Sequence, residues 1–167
     1  HLYDATQEVR WHELFSSQQT LRVDVTATRS PLASLEFAML RIKDGIVDRL
    51  RALTGARPSI DRQNPDVRVF AYLDGRTVTL YIDLSGEPLF KRGWRADKGE
   101  APLKENLAAG LLALSGWTPD VPLYDPFCGS GTIVIEAATI ATHRAPGLAR
   151  HFAFERLSNF ERAAWQR

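Results

Sequence analysis

Apolar and polar positions alternate over residues 19–29. Leu21, Val23, Val25 and Ala27 fall on one side, and Arg22, Asp24, Thr26 and Thr28 on the other. A period of two is that of a strand with one buried face. The period then changes. Leu35, Met39, Ile42, Ile46, Leu50 and Leu53 recur at steps of three and four, which predicts an amphipathic helix. Ser30-Pro31 supplies a cap and first turn, and Gly55 a stop. The opposite helix face carries Arg41, Lys43, Arg49 and Arg51. Two further strands are predicted over 67–73 and 77–84. Asp74-Gly75 between them is a hairpin signal, because glycine accepts the positive φ of a tight turn. Strand, helix and hairpin together predict an α/β domain over residues 1–88. Ahead of residue 19 the pattern is weaker, and Trp11, Leu14 and Phe15 suit one short helix.

The second half reads differently. Gly86, Pro88, Gly93, Gly99 and Pro102 punctuate a run rich in Lys and Arg, so residues 89–102 are expected to be a linker or surface loop. A helix follows over 103–115, with Leu103, Leu107, Leu111 and Leu114 on one face and Gly116 at its end. Val121–Asp125 reads as a short strand. Gly129-Ser130-Gly131 leads into a helix from Thr132 to Thr142. Ser158 and Glu161 form a capping-box pair for one more helix.

Composition narrows the classes. Of 167 residues, 44% are hydrophobic and 25% charged, which suffices for a packed core and argues against disorder. The formal net charge of +1 is too balanced to imply a polyanionic partner by itself, so a nucleic-acid reading must rest on local clusters. Cys128 is the single cysteine. No internal disulfide can form, and a reducing, cytoplasmic setting is expected. No apolar run approaches the roughly 20 residues of a membrane-spanning helix, so no membrane partner is expected. The four histidines have no metal-ligand spacing, and no metal is expected. The chain begins at His1 and ends at Arg167 inside a helical pattern, so it reads as a piece of a longer protein.

The chemistry lies in Asp125-Pro126-Phe127-Cys128-Gly129-Ser130-Gly131-Thr132, where a strand gives way to a helix. Glycines there let a ligand approach the backbone. The helix start offers unpaired N–H groups that favour a carboxylate or phosphate. Rival readings fit less well. A phosphate-binding P-loop needs a lysine after its second glycine, and Thr132 stands there. A dinucleotide fingerprint needs a third glycine where Val134 stands. A nucleophile elbow needs glycine two residues before the serine, and that position is Cys128. Cys128 itself is expected to pack as a small apolar residue.

Followed by Ile133-Val134-Ile135-Glu136-Ala137-Ala138, this string resembles the first cofactor motif of class I methyltransferases acting on exocyclic amino groups. More closely, it resembles the THUMP-domain family that includes bacterial large-subunit ribosomal RNA guanine-N2 methyltransferases. Further segments are similar in family order: Ile60-Asp61-Arg62, Pro65-Asp66-Val67-Arg68, Ile82-Asp83-Leu84-Ser85-Gly86, Arg92-Gly93-Trp94-Arg95, Ala101-Pro102-Leu103-Lys104-Glu105 and Arg144-Ala145-Pro146-Gly147-Leu148. The resemblance implies a THUMP-like RNA-holding domain over 1–88 and the start of a Rossmann-like methyltransferase domain over 103–167. It implies S-adenosylmethionine at Asp125, Pro126, Phe127, Cys128, Gly129, Ser130, Gly131 and Thr132, with the Pro102–Leu112 helix beside it. It implies methyl transfer to a base amine of RNA, guanine N2 of large-subunit ribosomal RNA first, without a metal, in the cytoplasm; the alternatives are a non-catalytic RNA-binding module, or a methyltransferase acting on tRNA guanine or on DNA adenine.

The chain also departs from the family. The Asn-Pro-Pro-aromatic string that holds the target amine is missing; Asn64-Pro65 is followed by Asp66, and Asp125-Pro126 by Phe127. The acidic residue that grips the cofactor ribose is missing too. The catalytic half is therefore expected beyond Arg167, with no catalytic residue in this chain. A basic group, Arg57, Arg62, Arg68, Lys91, Arg92, Arg95 and Lys98, flanks Phe90 and Trp94. It reads either as a solvated loop or as a phosphate track with a stacking platform. With the resemblance, Arg62, Arg68, Lys91, Arg92, Trp94 and Arg95 become the expected RNA contacts, ribosomal RNA being the expected partner.

Overall fold

The computed structural model describes residues 1–95 and 102–165. The chain forms two compact units, His1–Gly86 with Phe152–Arg167, and Glu87–His151.

The first unit is an α/β layer. Helices α1 (Leu2–Glu8) and α2 (Trp11–Leu14) precede strand β1 (Leu21–Thr28), helix α3 (Leu35–Thr54) and strands β2 (Val67–Asp74) and β3 (Thr77–Ile82). The sheet order is β1-β2-β3. β1 runs parallel to β2, with Leu21 opposite Val67 and Thr28 opposite Asp74. β2 and β3 are antiparallel and turn at Gly75-Arg76, with Asp74 opposite Thr77. The parallel pair requires a crossover, and α3 provides it. Ser59–Asp61 covers the other edge of β1: Leu21 N–H donates to Ser59 O at 2.8 Å, and Asp61 N–H to Leu21 O at 3.2 Å.

The alternation puts Leu21, Val23, Val67, Val69 and Ala71 on the face that α3 covers with Ile42, Ile46, Val47 and Leu50. Trp11 and Phe15 complete this core, and Trp11 Nε1 donates to Thr6 O at 2.7 Å, so its one polar atom is satisfied. The sequence pattern shows one short N-terminal helix; there are two, because Thr6 and Tyr3 of α1 pack directly on Gly45 of α3. The α3 cap also differs from expectation. Ser34 accepts from Phe37 N–H and starts the helix, whereas Ser30 accepts only from Leu32 N–H in a local turn. Gly55 ends the helix in the left-handed region, as expected. Phe152–Trp165, read in the sequence with the second segment, packs in this first unit. Phe154 N–H donates to Leu84 O and Ser158 N–H to Leu14 O. Ser158 caps no helix: among the described residues the last helix, α6, runs over Arg162–Trp165, with three residues between.

The second unit holds α4 (Glu105–Leu114) and α5 (Thr132–Ala141), packed on each other. The leucine stripe of α4 is not the side buried within this chain. Ala108 and Leu112 are buried, whereas Leu107, Leu111 and Leu114 are exposed, Leu114 by 87%. Val121–Asp125 is extended but forms no strand, because among the described residues no neighbour pairs with it. No helix among the described residues is long and apolar enough to cross a membrane.

Candidate cofactor loop and its buried supports

Residues 126–130 are exposed and lead into α5, with Asp125 and Gly131 at their two ends half-buried. Asp125 Oδ1 accepts from Phe127 N–H at 3.1 Å, and Gly131 N–H donates to Cys128 O at 2.8 Å. These two bonds curl the chain back on itself. Gly131, the N-cap of α5, has φ 76°, and Gly129 has φ 53°. Both lie where a Cβ is strained. A Cβ on Gly129 would meet nothing within 4 Å, so open space adjoins the loop there. Gly131 has no side chain to cap the first N–H groups of α5. The helix therefore begins with donors and a partial positive charge directed at the loop. A ligand with a carboxylate tail fits this arrangement. Cys128 is exposed, contrary to the expected packing role.

The supports behind the loop were not legible in the sequence. Thr132, first residue of α5, is buried, and its Oγ1 accepts from Arg95 Nη2 at 2.7 Å. Arg95 Nη2 also donates to Leu103 O at 3.0 Å. Arg95 Nε lies 3.1 Å from Glu105 Oε1, an ion pair in which the N–H is not aimed at the oxygen. Their side chains are only 10% and 7% exposed. One turn along α5, Glu136 pairs with Arg92 Nη2 at 3.4 Å, the side chains 3% and 15% exposed. A buried carboxylate needs a partner, and each has an arginine. The one signal was Glu136 itself, the lone charge in an apolar helix. A cavity of about 120 Å³ lies over this pair, bordered by Trp94, Thr139, Arg144 and Leu148.

The expected RNA contacts fall into two environments. In the first unit, Arg68 Nε donates to Asp24 Oδ2 at 2.6 Å, Arg22 holds Asp24 Oδ1, and the Arg62 carbonyl accepts from Arg22 Nη1 at 2.6 Å. Arg62 is exposed. Burial raises the Asp24 pKa, but the Arg22 and Arg68 guanidiniums outweigh it and hold the carboxyl below its ordinary 3.8. In the second unit, Lys91 faces solvent and pairs with Glu87 at 2.9 Å. Arg92 and Arg95 point inward to buried carboxylates, and Arg95 stacks over the Trp94 ring at 5.2 Å. Lys98 lies outside the described residues.

Comparison with known proteins gives a consistent picture. Residues 1–83 match the THUMP domain and residues 92–167 the RMKL-like, methyltransferase domain. The chain is 47% identical over 168 residues to the ribosomal RNA large subunit methyltransferase K/L of Pseudoalteromonas translucida, and 42% identical over 165 residues to that of Photobacterium profundum. It spans 24% and 23% of those proteins, and they cover 99% and 98% of it. Among solved structures, it resembles a predicted N6-adenine-specific DNA methylase from Listeria monocytogenes (TM-score 0.85, 34% identity, 99% of this chain and 43% of that one). It also resembles SMU.472, described as a methyltransferase and solved in complex with SAH (TM-score 0.82, 32% identity, 97% and 43%). The chain thus joins a THUMP domain to an RMKL-like, methyltransferase domain.

Proposed function

We propose that this chain serves S-adenosylmethionine-dependent methylation of an exocyclic base amine in RNA, guanine N2 of large-subunit ribosomal RNA in particular. The observation that carries this reading is the loop 125–132, exposed over 126–130, with two left-handed glycines ahead of an uncapped helix. The bound cofactor supplies an electrophilic methyl group on a sulfonium centre. The chain's own residues hold and orient it. The first amides of α5 receive the carboxylate tail, the open side of Gly129 admits the ligand, and Asp125 keeps the loop curled. Positioning of this kind lowers the barrier by removing the entropy of encounter.

In this reading residues 1–88 form the RNA-holding domain, 89–102 the connection, and 103–167 methyltransferase sequence. Arg62, Arg68, Lys91 and Trp94 are the RNA contacts, since they reach solvent or its edge. Arg92 and Arg95 join them only by shaping the surface, because their charges are committed to Glu136 and Glu105.

Calorimetric titration of S-adenosylmethionine into the full-length protein tests the reading, beside a Gly129→Val, Gly131→Val double variant. The expected result is binding that the double variant loses. A folded wild type that binds no cofactor would leave an RNA-binding module without catalysis.

A further inference from the structure

Arg95 is the hub of the second unit. Its side chain reaches three separate points of the chain: Glu105 at the first turn of α4, the Leu103 carbonyl ahead of it, and Thr132 at the first turn of α5. Guanidinium suits this task, since it carries five donors in a planar fork and no acceptor. The direction of the next link follows from that. An arginine only donates, so Thr132 Oγ1 accepts from it. The Thr132 hydroxyl proton is then free to be given away, and Ser130 Oγ lies 3.3 Å from it. Ser130 Oγ, used as the acceptor, retains its own proton. Ser130 is exposed on the loop between the two left-handed glycines. With Thr132 donating to Ser130, one of the two directions this pair allows, the chain Arg95 to Thr132 to Ser130 ends in a hydroxyl free to donate outward.

We propose that Arg95 is a positioning residue of the cofactor loop, acting through Thr132 to present the Ser130 hydroxyl as a donor to the amino-acid tail of the cofactor. The proposal rests on the reading that this loop binds S-adenosylmethionine. It assigns Arg95 to the tail and not to the adenosine. Loss of the relay therefore weakens ligands that have the tail and spares those that lack it.

The test uses two ligands on the full-length protein. S-adenosylhomocysteine has the amino-acid tail; 5′-methylthioadenosine has the same nucleoside and no tail. Arg95→Lys retains a charge opposite Glu105, but one ammonium cannot serve Glu105, Leu103 and Thr132 together. Thr132→Val removes only the relaying hydroxyl and leaves the ion pair in place, so it covers the case in which the Arg95 variant folds poorly. Both variants are expected to lose about tenfold in affinity for S-adenosylhomocysteine, the size of one charge-supported hydrogen bond. Both are expected to bind 5′-methylthioadenosine as the wild type does. Equal losses for the two ligands would make Arg95 a general support of the fold and overturn the proposal, as would unchanged binding of S-adenosylhomocysteine. Gly129→Val separates the two levels. If it leaves wild-type affinity for both ligands intact, the cofactor lies elsewhere, and the loop reading fails together with the relay.

Discussion

Gly45 illustrates how one residue reverses a sequence rule. Glycine inside a helix costs about 1 kcal/mol relative to alanine, so Gly45→Ala on helix propensity alone should stabilise α3. A Cβ at this position would stand 2.9 Å from Thr6 Cβ and 2.9 Å from Tyr3 O, where α1 crosses. Neither atom is the end of a flexible side chain. We predict that Gly45→Ala destabilises the chain by about 1–3 kcal/mol, the usual cost of overpacking; a raised urea midpoint would refute the close approach. Asp24 carries a second residue-scale prediction. Its carboxyl is held below the ordinary value in the folded chain by two guanidiniums. The folded state therefore binds this proton less readily than the unfolded one, so the stability is present above about pH 4 and is lost as pH falls through the folded pKa. Asp24→Asn should be less stable at pH 7 and lose less stability between pH 5 and 2, as followed by urea midpoints. At this scale the sequence was least informative. Arg92 meets Glu136, 44 positions away, and Arg95 meets Thr132, 37 positions away. No spacing rule connects such pairs; only the packing of α4 and α5 brings them together.

At the scale of elements the sequence was far more legible, because period and punctuation are local. β1, β2, β3 and α3 were each evident, with boundaries shifted by a few residues, and the Asp74-Gly75 turn follows from glycine's tolerance of positive φ. The misses have physical causes. Ser30-Pro31 carried the familiar helix-start signal, but Ser34 makes the capping bond to Phe37 N–H at 3.1 Å. A lost N-cap typically costs about 1 kcal/mol. Ser34→Ala should therefore lower the thermal midpoint measurably, while Ser30→Ala should leave it nearly unchanged; equal effects would return the helix start to Ser30. In α4 the leucine stripe gave the right period, while the side buried within this chain is that of Ala108 and Leu112, since periodicity fixes the angle between residues and not the direction of the core. The candidate strand 121–125 failed for a related reason: a strand exists only with a hydrogen-bonded neighbour, and the pattern of one segment cannot supply it.

Over the whole molecule, burial is uneven. The first unit contains Trp11, Phe15, Ile42, Ile46, Leu50 and the inner faces of β1 and β2. In the second, the buried apolar side chains among the described residues are Ala108, Leu112 and Ala137, and the other buried groups there are Glu105, Thr132 and Glu136. Local opening is governed by the apolar surface that closes it. Amide hydrogens of α4 and α5 should exchange with deuterium well before those of β1, β2 and α3, as mass spectrometry of this chain would record. Uniform protection of both units would mean that the ion pairs alone hold the second unit as firmly as a hydrophobic core.

The parallel pairing of β1 with β2 has a consequence in time. The hairpin of β2 and β3 closes a two-residue loop, an event on the scale of about 1–10 μs. β1 meets β2 only after the intervening stretch with α3 has been drawn into a loop, and that closure entropy is lost before any contact returns it. β1 is thus the last strand to join. In stopped-flow refolding, Val23→Ala should mainly accelerate unfolding, whereas Val69→Ala in the hairpin should slow folding itself. In a chain synthesised from its N-terminus, β1 is the first strand to emerge, and the edge that pairs with β2 stays open until the ribosome has delivered residue 74.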